Sequence, residues 1–587
     1  MNELNLSLAN DFPSIDEQAW RSLVEQSLKG APFDKKINRQ SEDGFEVKGL
    51  YSSTEEERAR IDVSDQPWTL MQEHRDLGRD GANKAILDDL ECGVNGLLLH
   101  VGDESVLNGP LEAALDGVLF DLIKISLKAP TQEQKTAERL LALAAKKSVN
   151  AEQLQLSVGA DPIADSAISG EFTDDLDQQI VQLLPLCDTI GSSSRLFDVN
   201  AAAYHYAGAT DGQEIAAALS TALVYLRAME KRGLALEKAA NLISFTFAVD
   251  AEFFASIAKL RAARQLWSSM LTACGVDAAS VPMSITARSA DRMFTRYDPW
   301  VNMLRGTAAC FAGAVGGADA VTVMPYDFAT AESSGFGRRI ARNVQSILME
   351  ESSLDKVIDP AAGSGFLEAL TTSLSEAVWR QFQAMEANGG IVQALKSGTL
   401  QKGIRTALGK RRAKVATRKR PITGVSEFPN IDDEISPNLA GTASSDMALK
   451  PSNLAADFEA LRDRAQKLDD PSVYLATVGD LSSYTPRASF AKNFFEAGGI
   501  RAKQGDGFAE SGAKVAVICG ADTDYKESAV SLAQSLKDQG AEKIFLAGNP
   551  GELVSDYEKA GISGFIYLGL DVPAVLAPVL ELLENAA

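Results

Sequence analysis

Residues 242–273 read LISFTFAVDAEFFASIAKLRAARQLWSSMLTA. Leu242–Val249 is a short, almost unbroken apolar run, which predicts a strand buried on both faces. Glu252–Ala273 carries its apolar residues at helical spacing and is long enough to cover such a strand. A buried strand followed by a helix is half of a parallel βαβ unit.

The unit recurs outward from this point. Apolar runs stand at Val94–Val101, Gly117–Leu127, Leu154–Ala160, Leu196–Ala203, Leu242–Val249, Val281–Ala287, Ala320–Pro325 and Lys356–Asp359. Helical stretches such as Gly212–Lys231, Pro299–Val315 and Ser334–Glu351 separate them. Eight strand–helix units over this length predict a (β/α)₈ TIM barrel. A helix over Phe366–Asn388 follows and stops at Gly389-Gly390. From Val515 a second α/β pattern begins, with strands expected at Val515–Cys519, Lys543–Ala547 and Gly564–Leu568. These predict a doubly wound, flavodoxin-like domain, with Ser472–Gly499 supplying surrounding elements. The expected division is an N-terminal extension over 1–65, a barrel over 66–425, a connector over 426–510 and the second domain over 511–587.

Composition narrows the function. The chain has 587 residues and a formal net charge of −23. That charge argues against nucleic acid, whose phosphates require a basic field. Lys402–Arg420 gathers nine basic residues, read as a helical linker whose charges meet acidic surface. No window has the roughly 20 apolar residues of a membrane span. The start, MNELNLSLAND, lacks the basic and apolar regions of a signal peptide, so a cytoplasmic location is expected. Five scattered cysteines without CxxC spacing point to reduced thiols rather than zinc or disulfides. Only His74, His100 and His205 are available for histidine chemistry.

Three segments are candidates for chemistry. Asp359–Gly365, DPAAGSG, copies the glycine turn of many methyltransferases, but it closes the strand series, where glycines serve close packing. His205 stands at the expected end of the fourth strand of the series, and the C-terminal end of a barrel strand is where chemistry gathers. Flanking tyrosines suit a packed aromatic cluster equally well. Val515–Glu527, VAVICGADTDYKE, runs from a buried strand into a loop of the kind that grips ligands in doubly wound sheets.

Longer motifs carry a resemblance. Arg288–Gly306, RSADRMFTRYDPWVNMLRG, with Gly316-Gly317-Ala318-Asp319 after it, resembles the barrel of the methylmalonyl-CoA mutase family. So do Arg339–Leu370, Ile243–Trp267, Pro67-Trp68-Thr69 and the earlier Leu28-Lys29-Gly30 and Asp43-Gly44, in the family's order. The resemblance implies a coenzyme-A thioester threaded through the barrel and adenosylcobalamin across its C-terminal face. The cofactor supplies radical chemistry exchanging methylmalonyl-CoA and succinyl-CoA.

Where the family's catalytic chains place a tyrosine after Pro-Trp-Thr, this chain has Glu73. Where they place a thioester-binding histidine it has Ala203, with His205 two residues later. In the cobalamin loop DxHxxG, Asp522 fits the first position, Asp524 replaces the cobalt-ligating histidine and Glu527 the glycine. The segments Ala547–Pro550 and Leu568–Leu570 also depart from the pattern expected around the nucleotide tail. A carboxylate is a harder donor than imidazole and no substitute for it on cobalt. Together these departures resemble the small, non-catalytic subunits of heterodimeric family members. The expectation is a chain with no catalytic, cofactor or metal residues of its own, beside a large catalytic subunit that holds adenosylcobalamin and the acyl-CoA. A self-sufficient mutase using His205, and a non-enzymatic partner of a different acyl-CoA mutase, are the alternatives.

Overall fold

The computed structural model describes residues 15–51, 61, 63, 65–102, 104–107, 109–172, 175–330, 334–433, 448–505 and 507–586. Residues 1–14 and 52–60 of the expected extension, and 434–447 of the expected connector, lie outside them.

Eight parallel strands close into a barrel: β1 Thr69–His74, β2 Gly96–His100, β3 Lys124–Lys128, β4 Gln155–Ala160, β5 Arg195–Asn200, β6 Ile243–Val249, β7 Ser284–Ser289 and β8 Ala320–Thr322. β8 closes it by pairing Ala320 with both Thr69 of β1 and Thr286 of β7. The fold is the expected TIM barrel, but its strands start one unit earlier. Lys356–Asp359 is no strand; a 3₁₀ turn over Leu354–Lys356 leads into exposed Val357 and Ile358. The missing member is β1, whose Gln72, Glu73 and His74 are polar yet buried, so it shows no apolar run.

The expected helix at 252–273 forms as Phe253–Ala273 and packs Trp267 edge-on against Phe245 of β6, with ring centroids 5.0 Å apart. The glycine turn over 359–365 does the work of packing. Asp359 pairs with buried Arg261 of that helix, and Arg261 also reaches Glu368 at 3.1 Å. Ser364 then caps the helix Gly365–Ala387.

The basic run forms the helix Thr399–Ala416 and the turn after it. Its charges meet acidic groups of this chain. Buried Arg411 pairs with Glu42 and donates to Gly208 O, while Arg420 reaches Glu42 at 3.2 Å and Glu252 at 3.1 Å. Glu42 and Asp43 lie in a two-stranded ribbon of the N-terminal extension, so that ribbon docks on its own barrel; Asp43 accepts from Thr210 Oγ1 and Gly212 N.

The C-terminal sheet has five parallel strands: β9 Ser472–Thr477, β10 Arg501–Lys503, β11 Val515–Cys519, β12 Lys543–Ala547 and β13 Gly564–Ile566. Their order, β10-β9-β11-β12-β13, is the flavodoxin-like one. The sheet therefore begins near Ser472, ahead of the boundary expected at 511, because Ser472–Gly499 contributes β9 and its helix to the centre. Tyr297, from the loop after β7, is buried in this domain's core under the Arg462 guanidinium, 4.0 Å from the ring centroid. Arg296 beside it bonds Glu459 at 3.1 Å and Asp463 at 2.7 Å, fixing the two domains together. Among the described residues no helix is long and apolar enough to cross a membrane.

Candidate functional site

The C-terminal mouth of the barrel is plugged by an ion network centred on Glu73. β1 delivers its carboxylate to Arg288 of β7 at 2.7 Å, Arg75 at 2.6 Å and His100 Nε2 at 2.9 Å. Burial pushes the Glu73 carboxyl up, but Arg288, His100 and Arg75 outweigh it and hold the group well below the usual carboxylate range. Arg288 is anchored further by Asp291 and the Tyr206 hydroxyl. Glu73 at this position is an internal counter-ion.

Below the plug the lumen carries the hydroxyls of Ser126, Ser157, Ser244, Thr246, Thr286 and Thr322. Lys124, Lys128, Arg195, Asp198 and Met71 fill the space between them, leaving a cavity of about 20 Å³. That is room for one small guest. A pocket for a ligand of coenzyme size needs at least roughly 300 Å³.

His205 does not face this mouth. β5 stops at Asn200, and Ala202–Tyr206 forms a short helix. The expected shift of two residues along a strand therefore does not apply: in a helix, Ala203 and His205 point about 200° apart. His205 is fully buried with Nδ1 3.0 Å from Glu214 Oε2, and Lys259 Nζ lies 2.7 Å from the same oxygen and 2.9 Å from Asp211. Asp211, Glu214 and His205 converge closely enough to suggest a cation site. The Lys259 ammonium already occupies the centre of that group, so the cluster is a closed ion network. Sequence reasoning singled out His205 but missed Glu214 and Lys259, whose helical positions give no motif.

Burial, then the cations Arg292, Lys259, Arg411 and Arg420, hold His205 well below the usual histidine range, so it is neutral in the folded chain. The unfolded chain protonates its histidine near pH 6.5. Stability from this site is thus full above about pH 6.5 and is lost as pH falls toward the depressed folded value. Across pH 5–8 the melting temperature of the native chain relative to His205→Gln should fall on the acid side; a difference independent of pH would rule the assignment out.

In the C-terminal domain, ligands of doubly wound sheets sit where the strand order reverses, here between the C-terminal ends of β9 and β11. Val515–Cys519 is third in chain order, so the loop after the domain's first strand is Val478–Asp480. The expected loop after β11 is also shorter than its sequence suggested. The helix Asp522–Asp538 starts at once, favoured by Asp522 and Asp524 in its first turn. The two loops close on each other. Ser483 Oγ donates to Asp524, and a Cβ at Gly479 would run into that carboxylate. Arg487 bonds Asp522 at 3.0 Å and Ala547 O at 2.5 Å. Buried Tyr525 receives Gly520 N at 2.8 Å and donates to Ala547 O at 2.7 Å. All three histidines belong to the barrel.

Comparison with known proteins gives this geometry its context. The sequence profile described as Methylmalonyl-CoA mutase matches residues 91–469, ending just before β9. The chain is 37% identical to the methylmalonyl-CoA mutase small subunit of Streptomyces virginiae, over 98% of each chain. It is 32% identical to the methylmalonyl-CoA mutase small subunit of Propionibacterium freudenreichii subsp. shermanii, over 99% of this chain and 97% of that one. A probable methylmalonyl-CoA mutase small subunit of Mycobacterium tuberculosis is 34% identical over 88% of each. The barrel, the C-terminal sheet and this full-length similarity agree: the chain belongs to the methylmalonyl-CoA mutase family, whose members are cobalamin-dependent isomerases.

Proposed function

We propose that this chain is the non-catalytic small subunit of a heterodimeric methylmalonyl-CoA mutase. It stabilises a large subunit that binds adenosylcobalamin and interconverts methylmalonyl-CoA and succinyl-CoA. The observation that carries the reading is the filled lumen, where a cavity of about 20 Å³ stands against the passage a threaded thioester requires. The Glu73 network closes the same path from above.

Cobalamin does not fit the switch-point crevice of this chain. Its donor set is Ser483, Asp522, Asp524 and Arg487, with no imidazole, and the groups bond one another across the space between the loops. In this reading no residue of the chain carries a chemical step; its contribution to the reaction is the partner's stability.

The N-terminal extension suits partner contact. Its helix Glu17–Ser27 is amphipathic, yet no residue of it is buried, and Leu23 and nearby Ile15 are exposed. Trp20 packs edge-on against Phe33, with ring centroids 5.9 Å apart, which leaves Leu23 and Ile15 open; an open apolar stripe needs a surface to cover it, and the proposed cover is the large subunit.

The test uses the chain alone and with a homologue that carries DxHxxG. The isolated chain should show no cobalamin absorption and no turnover, and should co-purify one-to-one with that homologue. Stoichiometric cobalamin on the isolated chain, or an active homodimer, would overturn the reading. Deleting residues 1–30 should leave melting unchanged while loosening the pair about tenfold or more. Equal affinity would remove the helix from the interface.

A further inference from the structure

The barrel lumen gathers four cations around one small cavity. Lys124, Lys128, Arg195 and Arg288 line it beside the carboxylate of Asp198, with Glu73 and Asp291 on Arg288 and Asp319 acting on Lys124 and Arg195. Glu73 is already shared by Arg288, Arg75 and His100. Asp198 spends its oxygens on hydroxyls, accepting from Ser244 at 2.9 Å and Thr246 at 2.8 Å.

The cations are correspondingly short of acceptors. Among the described residues no hydrogen bond or ion pair engages the ammonium of Lys124 or Lys128. The Arg195 guanidinium bonds only Ser194 O, at 3.1 Å. Arg288 is 4% exposed, and its Nη2 is buried without a partner. Lys124, Lys128 and Arg195 are half-buried and Arg288 is buried. A cation with reduced access to water and an unmet donor is costly, and the cost is relieved by losing a proton or gaining an anion. Arginine does not lose its proton, so Arg195 and Arg288 stay charged whatever the lysines do.

We propose that the lumen binds one small monovalent anion of halide size, held by Lys128 and Arg288 with hydroxyl donors from the surrounding strands. The roughly 20 Å³ of room admits one such ion and excludes phosphate esters or carboxylate metabolites. Burial lowers both lysines, only partly offset by Asp319 at Lys124 and Asp198 at Lys128, while Arg195 and Arg288 add repulsion. A bound anion reverses that cost and ties β3 and β7 together across the axis. It acts as a structural counter-ion.

Two measurements on the full-length chain decide it. Crystals grown in bromide and measured at the bromine absorption edge should show an anomalous peak inside the barrel. Peaks on the outer surface alone, or water-like density in the lumen, would overturn the proposal. Melting in chloride should exceed melting in gluconate, which is too large to enter, by about 2 °C or more at equal ionic strength. In Lys128→Met that chloride-specific rise should shrink to less than about a quarter; equal melting of the wild-type chain in the two salts would also overturn it. If Lys128→Met fails to fold, the bromide experiment on the unaltered chain still decides.

Discussion

Lys259→Met should destabilise the barrel by about 3–5 kcal/mol at pH 8, the usual cost of removing one partner from a buried ion network. Lys259 is fully buried and bridges Glu214 at 2.7 Å and Asp211 at 2.9 Å, with His205 Nδ1 3.4 Å away. Glu214 holds the network to the barrel by accepting Ala248 N of β6 at 2.9 Å. Burial, and the neighbouring Asp211, already push the Glu214 carboxyl up to about 7 despite Lys259. Without the ammonium it would rise further, so the variant can recover part of the loss by taking a proton. The defect should therefore grow from pH 6 to pH 8, where protonation costs more.

Urea midpoints of the barrel transition across that range measure the effect. Adding Glu214→Gln to Lys259→Met should restore a large share of the loss, since the orphaned charge goes with it. Near-native stability of Lys259→Met at pH 8 would show that the cluster is held by packing alone.

That cluster illustrates what the sequence could and could not disclose. β6 and its helix were legible because both are regular and apolar: Ile243–Val249 is buried at every position, and the helix keeps one period for 21 residues. β1 was hidden because Glu73 and His74 are ion-network members, and the burial of Glu73 depends on Arg288 more than two hundred residues away. Lys356–Asp359 misled for the opposite reason: Val357 and Ile358 are apolar but exposed. In the C-terminal domain, β9 is harder to read because Ser472–Thr477 is interrupted by polar residues, whereas Val515–Cys519 is continuously apolar, and sheet order cannot be read from strand content. The departures at Glu73 and Asp524 were legible as residue types, whereas their new partners were not. Glu73 neutralises arginines and Asp524 receives Ser483, so both positions now serve internal bonding. Positions taken up by bonding within their own scaffold fit the proposed role of a subunit that stabilises its partner.

Asp165→Asn should stabilise the chain, by about 1–3 kcal/mol at pH 8, because it removes the cost of keeping a proton on a carboxyl that the unfolded chain gives up. Asp165 lies on the short helix Pro162–Ser169 after β4, facing Glu133 at the start of the next helix around. Asp161, at the head of the same helix, is committed to Tyr225 at 2.5 Å, Asn200 N at 2.7 Å and Ala164 N at 3.0 Å. Burial, then the carboxylates of Asp161 and Glu133, push Asp165 up to about 8, with Lys128 opposing only weakly from the lumen. Burial also raises Glu133 and takes Asp161 up to about 6. The folded chain thus keeps a proton on Asp165 that the unfolded chain gives up near pH 4. Folded and unfolded Asp165 differ in protonation between about pH 4 and pH 8, and because the folded state binds the extra proton, stability falls as pH rises through that window. Asparagine supplies a neutral side chain at all pH values, and its amide can donate to Glu133 as the protonated acid does. Variant and native chain should match near pH 4 and diverge steadily up to pH 8, then run parallel. Calorimetric melting at closely spaced pH values reads this directly, and parallel curves from pH 4 to 9 would mean that Asp165 is ionised in the folded chain throughout.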